Sequence, residues 1–202
     1  MYWQWTVGRQ LIEAASVPVA PLPTIDDEPI TVANARLHLN EPPATDPEIE
    51  RYIRTARYAV EQRSGIALVE QTWDVFLNID SSLIYPGWIA LPLSPIQSIV
   101  EVAAIATSGV ETIIAGSNYW VNRALRPASL VFGSTLSASN GVRVRYIAGL
   151  DTADETTIPP DLIAAMYLHI AHQWAHRGDD DAPEEPPAFT RILDRYVLPT
   201  VA

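Results

Sequence analysis

Three histidines stand close together in the last third of the 202-residue chain, where their spacing could support chemistry. His169, His172 and His176 recur at i, i+3 and i+7, so a helix would place their imidazoles along one stripe. A metal site could use such a stripe, but the first and last rings would lie about 10 Å apart along the helix axis. The HExxH motif of zinc enzymes is also missing. We expect these histidines and Trp174 to pack in the core or in an oligomer interface, with a metal-dependent enzyme as the alternative.

Acidic residues offer a second possibility for chemistry, since a glycosidase needs two carboxyl groups that face each other across a cleft. Six acids lie in two short runs: Asp151, Asp154, Glu155, Asp179, Asp180 and Asp181. Consecutive acids in a loop are more typical of a hydrated surface. The sequence also lacks the GxSxG, P-loop and GxGxxG motifs. The residues therefore predict no catalytic group, no bound metal and no cofactor.

The charge balance and the composition exclude further classes of function. The chain has 13 basic residues, all of them arginine, against 24 acidic ones, and its net charge is −11. This balance argues against a protein that grips nucleic acid through its phosphates. The absence of cysteine excludes a disulfide scaffold and a thiol nucleophile. No apolar run reaches the length of about 20 residues that a membrane span requires.

Hydrophobic periodicity places helices at both ends of the chain. Thr31 is a suitable N-cap for a short helix that continues to Leu39, and Asp46 is the predicted N-cap of a longer helix that stops at Ser64-Gly65. On the longer helix we expect a solvent-exposed face with salt bridges, which includes Arg51, Arg54, Arg57, Arg63, Tyr58 and Glu61. A third helix starts after Ile158-Pro159-Pro160 and is apolar on nearly all sides, which predicts a central position.

The segment between these helices shows the alternation that is typical of β-strands. Strands are predicted over 71–80, 88–91, 97–106, 110–114, 119–122, 130–132 and 142–147. Short links between them predict an antiparallel sheet, barrel or sandwich. Four tryptophans occur inside apolar patterns and are expected in the core: Trp73, Trp88, Trp120 and Trp174.

The predicted fold class is therefore α+β, a small helical bundle formed by N- and C-terminal helices with an inserted antiparallel β domain. The expected organisation is an extended N-terminal arm over 1–29, a first helical part over 30–69 and a β domain over 70–150. A closing helix follows over 151–178, and an acidic hinge with a C-terminal arm over 179–202.

The order of several short motifs resembles the phage head–tail connector family, also called adaptor or head-completion proteins, which includes relatives in gene-transfer agents. The resemblance runs from about Ile30 to Tyr196 and rests on the joint order of the segments, since no segment is specific alone. The matching segments are 30–39, 46–61, Gly65-Ile66, Gln71-Thr72-Trp73, Leu91-Pro92…Pro95-Ile96…Ser98-Ile99, 142–149, Ile158-Pro159-Pro160-Asp161 and Trp174…Arg177. Tyrosine is more common in the family at the position of Trp174, and the first 25 residues look like an additional arm.

The resemblance implies a structural protein of a virion or phage-like particle, assembled in the bacterial cytoplasm. It would form a homo-oligomeric ring on the portal protein, extend the channel through which DNA passes without sequence-specific binding, and carry the next neck or tail-completion protein. No membrane partner is implied. The C-terminal arm is the expected portal-binding segment, through Phe189, Arg191, Ile192, Leu193, Arg195, Tyr196, Val197 and Leu198, with a helix folded back on its own bundle as the alternative.

Residues 151–185 carry nine acids and one arginine, a net charge of −8. On the connector interpretation, the six loop acids named above face the channel, where they would repel DNA and keep it from adhering. Two other classes remain as alternatives: the metal-dependent enzyme of the histidine stripe, and a cytoplasmic β module that binds a carbohydrate or peptide.

Overall fold

A computed structural model of the chain describes residues 2–7, 10–77, 88–124, 126–133, 140–150, 157–177, 179 and 185–197. The chain forms two compact units. The β unit consists of residues 1–22, 71–149 and 198–202, and the helical unit consists of residues 23–70 and 150–197. The α+β class with antiparallel sheets is confirmed. No helix in the described residues is both long and apolar enough to span a bilayer.

Four α-helices lie in the described part of the helical unit: α1 (Val32–His38), α2 (Asp46–Ser64), α3 (Pro160–Ala175) and α4 (Pro187–Leu193). Helix α3 packs against the other three, as its apolar sequence predicts. Their shared core contains Ile53, Val60, Met166, Ile170 and Phe189, all of them buried.

The helix ends explain where the chain turns. The Thr31 hydroxyl accepts a hydrogen bond from the Asn34 amide, which confirms it as the N-cap of α1. The predicted cap of α2 is wrong by one residue. Thr45 is the N-cap, and its backbone amide and hydroxyl both donate to the Glu48 carboxylate in a capping box. Gly65 ends α2 in the left-handed conformation at φ 68°.

The β unit contains nine strands in its described residues. They are β1 (Tyr2–Val7), β2 (Gln10–Pro18), β3 (Gln71–Leu77), β4 (Trp88–Leu91), β5 (Ile96–Ile105), β6 (Glu111–Ile113), β7 (Tyr119–Asn122), β8 (Ala128–Phe132) and β9 (Gly141–Ala148). All pairs are antiparallel. A six-stranded sheet has the order β1-β2-β3-β9-β5-β6, and a three-stranded sheet has the order β4-β8-β7.

The first 22 residues belong to the β unit, whereas the sequence left open whether they would lie on this chain or on a neighbour. Strands β1 and β2 form a hairpin, and β2 pairs with β3 from Ala14↔Leu77 to Pro18↔Trp73. The arm therefore extends the sheet of its own chain, because the backbone of β3 offers unpaired hydrogen-bonding groups on that side.

Side chains alternate across the six-stranded sheet. Trp73, Val75 and Leu77 lie on its buried face, in register with three buried residues of β9: Tyr146, Val144 and Val142. The opposite face of the same strands carries charged residues. This arrangement follows the period of two that the sequence of 71–77 shows.

The expectation that four tryptophans lie in the core is right for Trp73 and wrong for two others. Trp88 and Trp120 are 47% and 56% exposed. They lie on the outer face of the three-stranded sheet, whereas Ile89 and Leu130 on its inner face are buried. Trp174 is partly buried at the border of the helical core. The hydrophobic pattern alone does not separate the two faces of a four-residue strand.

Candidate functional site

The three histidines, His169 and His172 in α3 and His176 at its C-cap, do not act as one group. His169 is buried, its Nδ1 hydrogen-bonds with the side-chain amide of Gln173, and its ring lies 5.0 Å from that of Phe189. Burial, and then the charge of His172, lower the pKa of His169, which favours the neutral form of the ring. The rings of His172 and His176 lie next to each other, tilted by 49°, with their centroids 4.6 Å apart. Within the described residues, no cluster of three or more potential ligands could hold a metal ion.

Trp174 and the end of α3 form an aromatic contact region at the border of the helical core. The Trp174 ring meets that of Tyr52 edge-on at 6.3 Å, and the Arg177 guanidinium lies 3.6 Å from its centroid. This cation–π contact holds Arg177, two residues beyond the end of α3, against the border of the core. Its geometry indicates a packing role within this chain.

Five of the six loop acids lie outside the described residues: Asp151, Asp154, Glu155, Asp180 and Asp181. Asp179 is exposed, and its carboxylate lies 3.4 Å from Nδ1 of His176.

The C-terminal segment over 185–197 folds onto the helical unit. Phe189 and Leu193 are buried in the core, and Ile192 and Tyr196 pack against it. The exposed side of the segment carries Arg191, Arg195 and Val197, and Leu198 lies outside the described residues.

Polar contacts attach this segment at two points. Arg63 of α2 donates to Glu185 at 2.8 Å and to Asp194 at 2.9 Å. The Tyr196 hydroxyl donates to Asp161 of α3 at 2.6 Å. The segment therefore has the fold-back geometry that the sequence offered as an alternative, in which its apolar side is not accessible.

A buried charge network in the helical unit was not anticipated. Arg57 donates to Glu28 at 2.9 Å and to Glu61 at 2.7 Å, and all three side chains are buried. The second oxygen of Glu61 accepts the Leu68 amide at 2.8 Å. Burial raises the pKa of Glu28 and of Glu61, partly offset by the charge of Arg57.

The network corrects the predicted exposed face of α2. Arg57 and Glu61 point into the unit, while Arg51, Arg54 and Tyr58 are exposed as expected. The i, i+4 spacing of Arg57 and Glu61 was visible in the sequence, but Glu28 lies 29 residues away and gave no signal. Only the fold shows that these charges share one buried site.

A second charge network crosses the outer face of the six-stranded sheet. Arg143 of β9 donates to Glu111 at 2.6 Å and to Glu101 at 2.5 Å, and Arg145 makes two 2.7 Å hydrogen bonds with Asp74. These contacts connect β3, β9, β5 and β6 across the sheet. Such a network stabilises strand pairing and leaves none of these carboxylates positioned for acid–base chemistry.

Solved structures provide the comparison for the whole chain. The chain is similar to a chain in the neck of an empty GTA particle computed with C6 symmetry, with TM-score 0.71 and 23% identity over 93% of this chain and 97% of that one. It is also similar to a chain of the virion of a native gene transfer agent (GTA) particle, with TM-score 0.72 and 21% identity over the same shares.

A chain in the neck of a native GTA particle computed with C12 symmetry gives TM-score 0.70 and 24% identity over those same shares. No protein-family model and no curated protein matches the sequence. The fold that the connector resemblance implied is thus confirmed: this chain shares its architecture, nearly from end to end, with chains of gene-transfer-agent particles.

Proposed function

We propose that this protein is a structural head–tail connector of a tailed phage or phage-like particle. The observation that carries the proposal is the fold shared with neck chains over 93% of the sequence, a length that includes both compact units. The motif order from Ile30 to Tyr196 supports the same assignment independently. The protein forms a ring on the portal, extends the DNA channel and carries the next neck or tail-completion protein.

The state of the polar groups supports a role without catalysis. The glutamates of both charge networks are held in ion pairs with arginines, and His169 packs against Phe189. An enzyme ordinarily keeps its acid–base groups in a cleft open to substrate. The described residues contain ion-pair networks that connect helices or strands, which is what an assembly component needs.

The acidic stretch gives the wall of the proposed channel a negative charge. Residues 151–185 carry a net charge of −8, and acids that line a channel repel DNA and so let it move without adhering. We assign this role to Asp151, Asp154, Glu155 and Asp179–Asp181. A ring structure in which all of these acids lie on the outer rim would contradict this assignment and leave the connector role intact.

The C-terminal segment is the proposed portal contact, through the side that remains exposed in this conformation. Truncation after Gly178 is a poor test, because it removes Phe189 and Leu193 from the helical core. The charge reversal R191E/R195E changes the exposed side and leaves those core residues in place. If portal capture by the variant is undiminished, the segment does not contact the portal; a loss of about tenfold or more supports the assignment.

The connector role itself is tested by co-purification with the portal protein of the same particle. A complex that electron microscopy shows as a ring on the portal is the expected result. A monomer that ignores the portal and binds a metal ion or a sugar would support one of the alternatives instead.

A further inference from the structure

An apolar row lies at one end of the outer face of the three-stranded sheet. Trp88 of β4 and Trp120 of β7 are both in register with Val131 of β8, so the three side chains stand next to each other. The two tryptophans are 47% and 56% exposed. Exposed aromatic groups that form a contiguous patch mark interaction surfaces, and tryptophan is among the residues that contribute most to binding energy there.

The charge pattern indicates what kind of partner fits this row. The three strands contain no charged side chain: WIAL in β4, YWVN in β7 and ASLVF in β8. A nucleic acid finds no cation in these strands, and the chain carries a net charge of −11. Two copies of such a chain repel each other wherever their acidic surfaces meet. The repulsion between the two copies is weakest where they meet through an uncharged surface.

A second apolar feature lies at the free edge of the six-stranded sheet. Among the described residues, strand β6 pairs only with β5, and Val110, just before β6, and Ile113 are 62% and 58% exposed. The charge of Glu111, between them, is balanced within the same unit by Arg143 at 2.6 Å. An exposed edge strand with apolar side chains can pair with a strand or pack against a surface of another chain unless it is covered.

We propose that the tryptophan row of one copy docks against the β6 edge of the next copy. This inference rests on the proposed function, which requires a ring. A contact between two different surfaces is head-to-tail, so an open row of copies keeps one free surface of each kind, at its two ends, until the ring closes. A surface that binds itself would instead stop at a dimer. The row and the β6 edge provide the two different surfaces on a single unit.

The lack of cysteine allows a direct test, because each introduced thiol is unique in the chain. Trp120→Cys and Ile113→Cys are prepared as separate variants. Samples in which electron microscopy shows rings, either free or bound to the portal, are treated with a short bismaleimide. A mixture of the two variants should give a cross-linked dimer, and each variant alone should not. Leu37→Cys, at a residue that is 66% exposed in the helical unit, is the control for Ile113→Cys and should not cross-link to Trp120→Cys.

The outcomes separate this inference from the function on which it rests. Rings without a cross-link between positions 120 and 113, or with a cross-link from 120 to 120, overturn the docking proposal and leave the connector role standing. Failure to form rings even on the portal contradicts both.

A substitution measures the contribution of the row independently. The double variant W88S/W120S should raise the protein concentration needed for ring formation by about tenfold or more. Leu37→Ser should leave it unchanged. Urea unfolding of each variant shows whether the fold is retained, and the single variants serve if the double variant is unstable. A properly folded variant that forms rings at the wild-type concentration would refute the proposal.

Discussion

The helical unit and the β unit use arginine in different environments. In the helical unit, Arg57 lies between Glu28 and Glu61, and neither carboxylate side chain has any solvent exposure. In the β unit, Arg143 contacts Glu101 and Glu111, whose side chains are about one-third exposed. The first network is sealed and has one cation for two anions, whereas the second is open to water at its rim.

The pKa shifts of the acids follow this difference. Burial outweighs the attraction of Arg57 and raises the pKa of Glu28, whereas the hydrogen bond from Arg143 outweighs burial and lowers the pKa of Glu111. The ion pairs of Glu28 and Glu111 have nearly the same length, but they change stability with pH in opposite directions. The extent to which the fold excludes water from the carboxylate determines whether its charged form is disfavoured or favoured relative to the unfolded chain.

The largest expected effect comes from opening the sealed network. Arg57→Ala leaves two buried carboxylates without their cation, which should lower the free energy of unfolding by about 3–5 kcal/mol. Arg54→Ala is the matched control, because Arg54 is exposed on the same helix, makes a 3.7 Å contact with Glu50 and acts on Glu28 only through its charge, more weakly than Arg57 does; its cost should stay below about 1 kcal/mol. Urea unfolding followed by circular dichroism measures both. Equal losses of unfolding free energy in the two variants would show that burial does not set the contributions of Arg57 and Arg54 apart.

A smaller effect is expected within the open network. Arg143→Ala should cost about 2 kcal/mol, because it removes charged hydrogen bonds to two strands. Arg145→Ala should cost less than about 1 kcal/mol, since its side chain is 36% exposed and its hydrogen bonds within the described residues go to one carboxylate, that of Asp74. The same urea titration compares them, and a larger loss for Arg145→Ala would contradict the role given to Arg143.

The smallest effect is a pair of opposite pH dependences. The pKa of Glu28 is raised on folding, so its contribution to stability is lost as pH rises from the usual glutamate range through that raised pKa. The pKa of Glu111 is lowered, so its contribution is present above the usual range and lost as pH falls through the lowered pKa.

Unfolding curves of Glu28→Gln and Glu111→Gln between pH 3 and 8 measure these slopes against the wild type. Relative to wild type, Glu28→Gln should gain stability as pH rises, and Glu111→Gln should gain stability as pH falls. Slopes of the same sign would show that the two networks do not differ as described.

The sequence predicted most of the elements because their local signals were strong. Pro47 and the acids of the first turn marked the start of α2 to within one residue, and strands β4 and β7 have the predicted bounds. The alternation of 71–77 predicted which face of β3 is buried. These features depend on neighbours a few residues apart, which a sequence shows directly.

Features that depend on distant parts of the chain were not predictable in this way. The pairing of β2 with β3 joins residues more than 50 positions apart, and the partners of Arg57 include Glu28 from the segment before α1. Trp88 and Trp120 belong to short strands with apolar residues on both faces, so periodicity could not show that their side chains are exposed. The resemblance to connectors led to the proposed function, which no catalytic motif in the sequence indicated.

The central claim is that this chain assembles as a ring on a portal. Electron microscopy of the protein co-purified with the portal protein of the same particle tests it most directly. The account predicts a ring of copies that is coaxial with the portal and continues its channel. A portal that purifies without this chain, across protein concentrations at which both are folded, would contradict it.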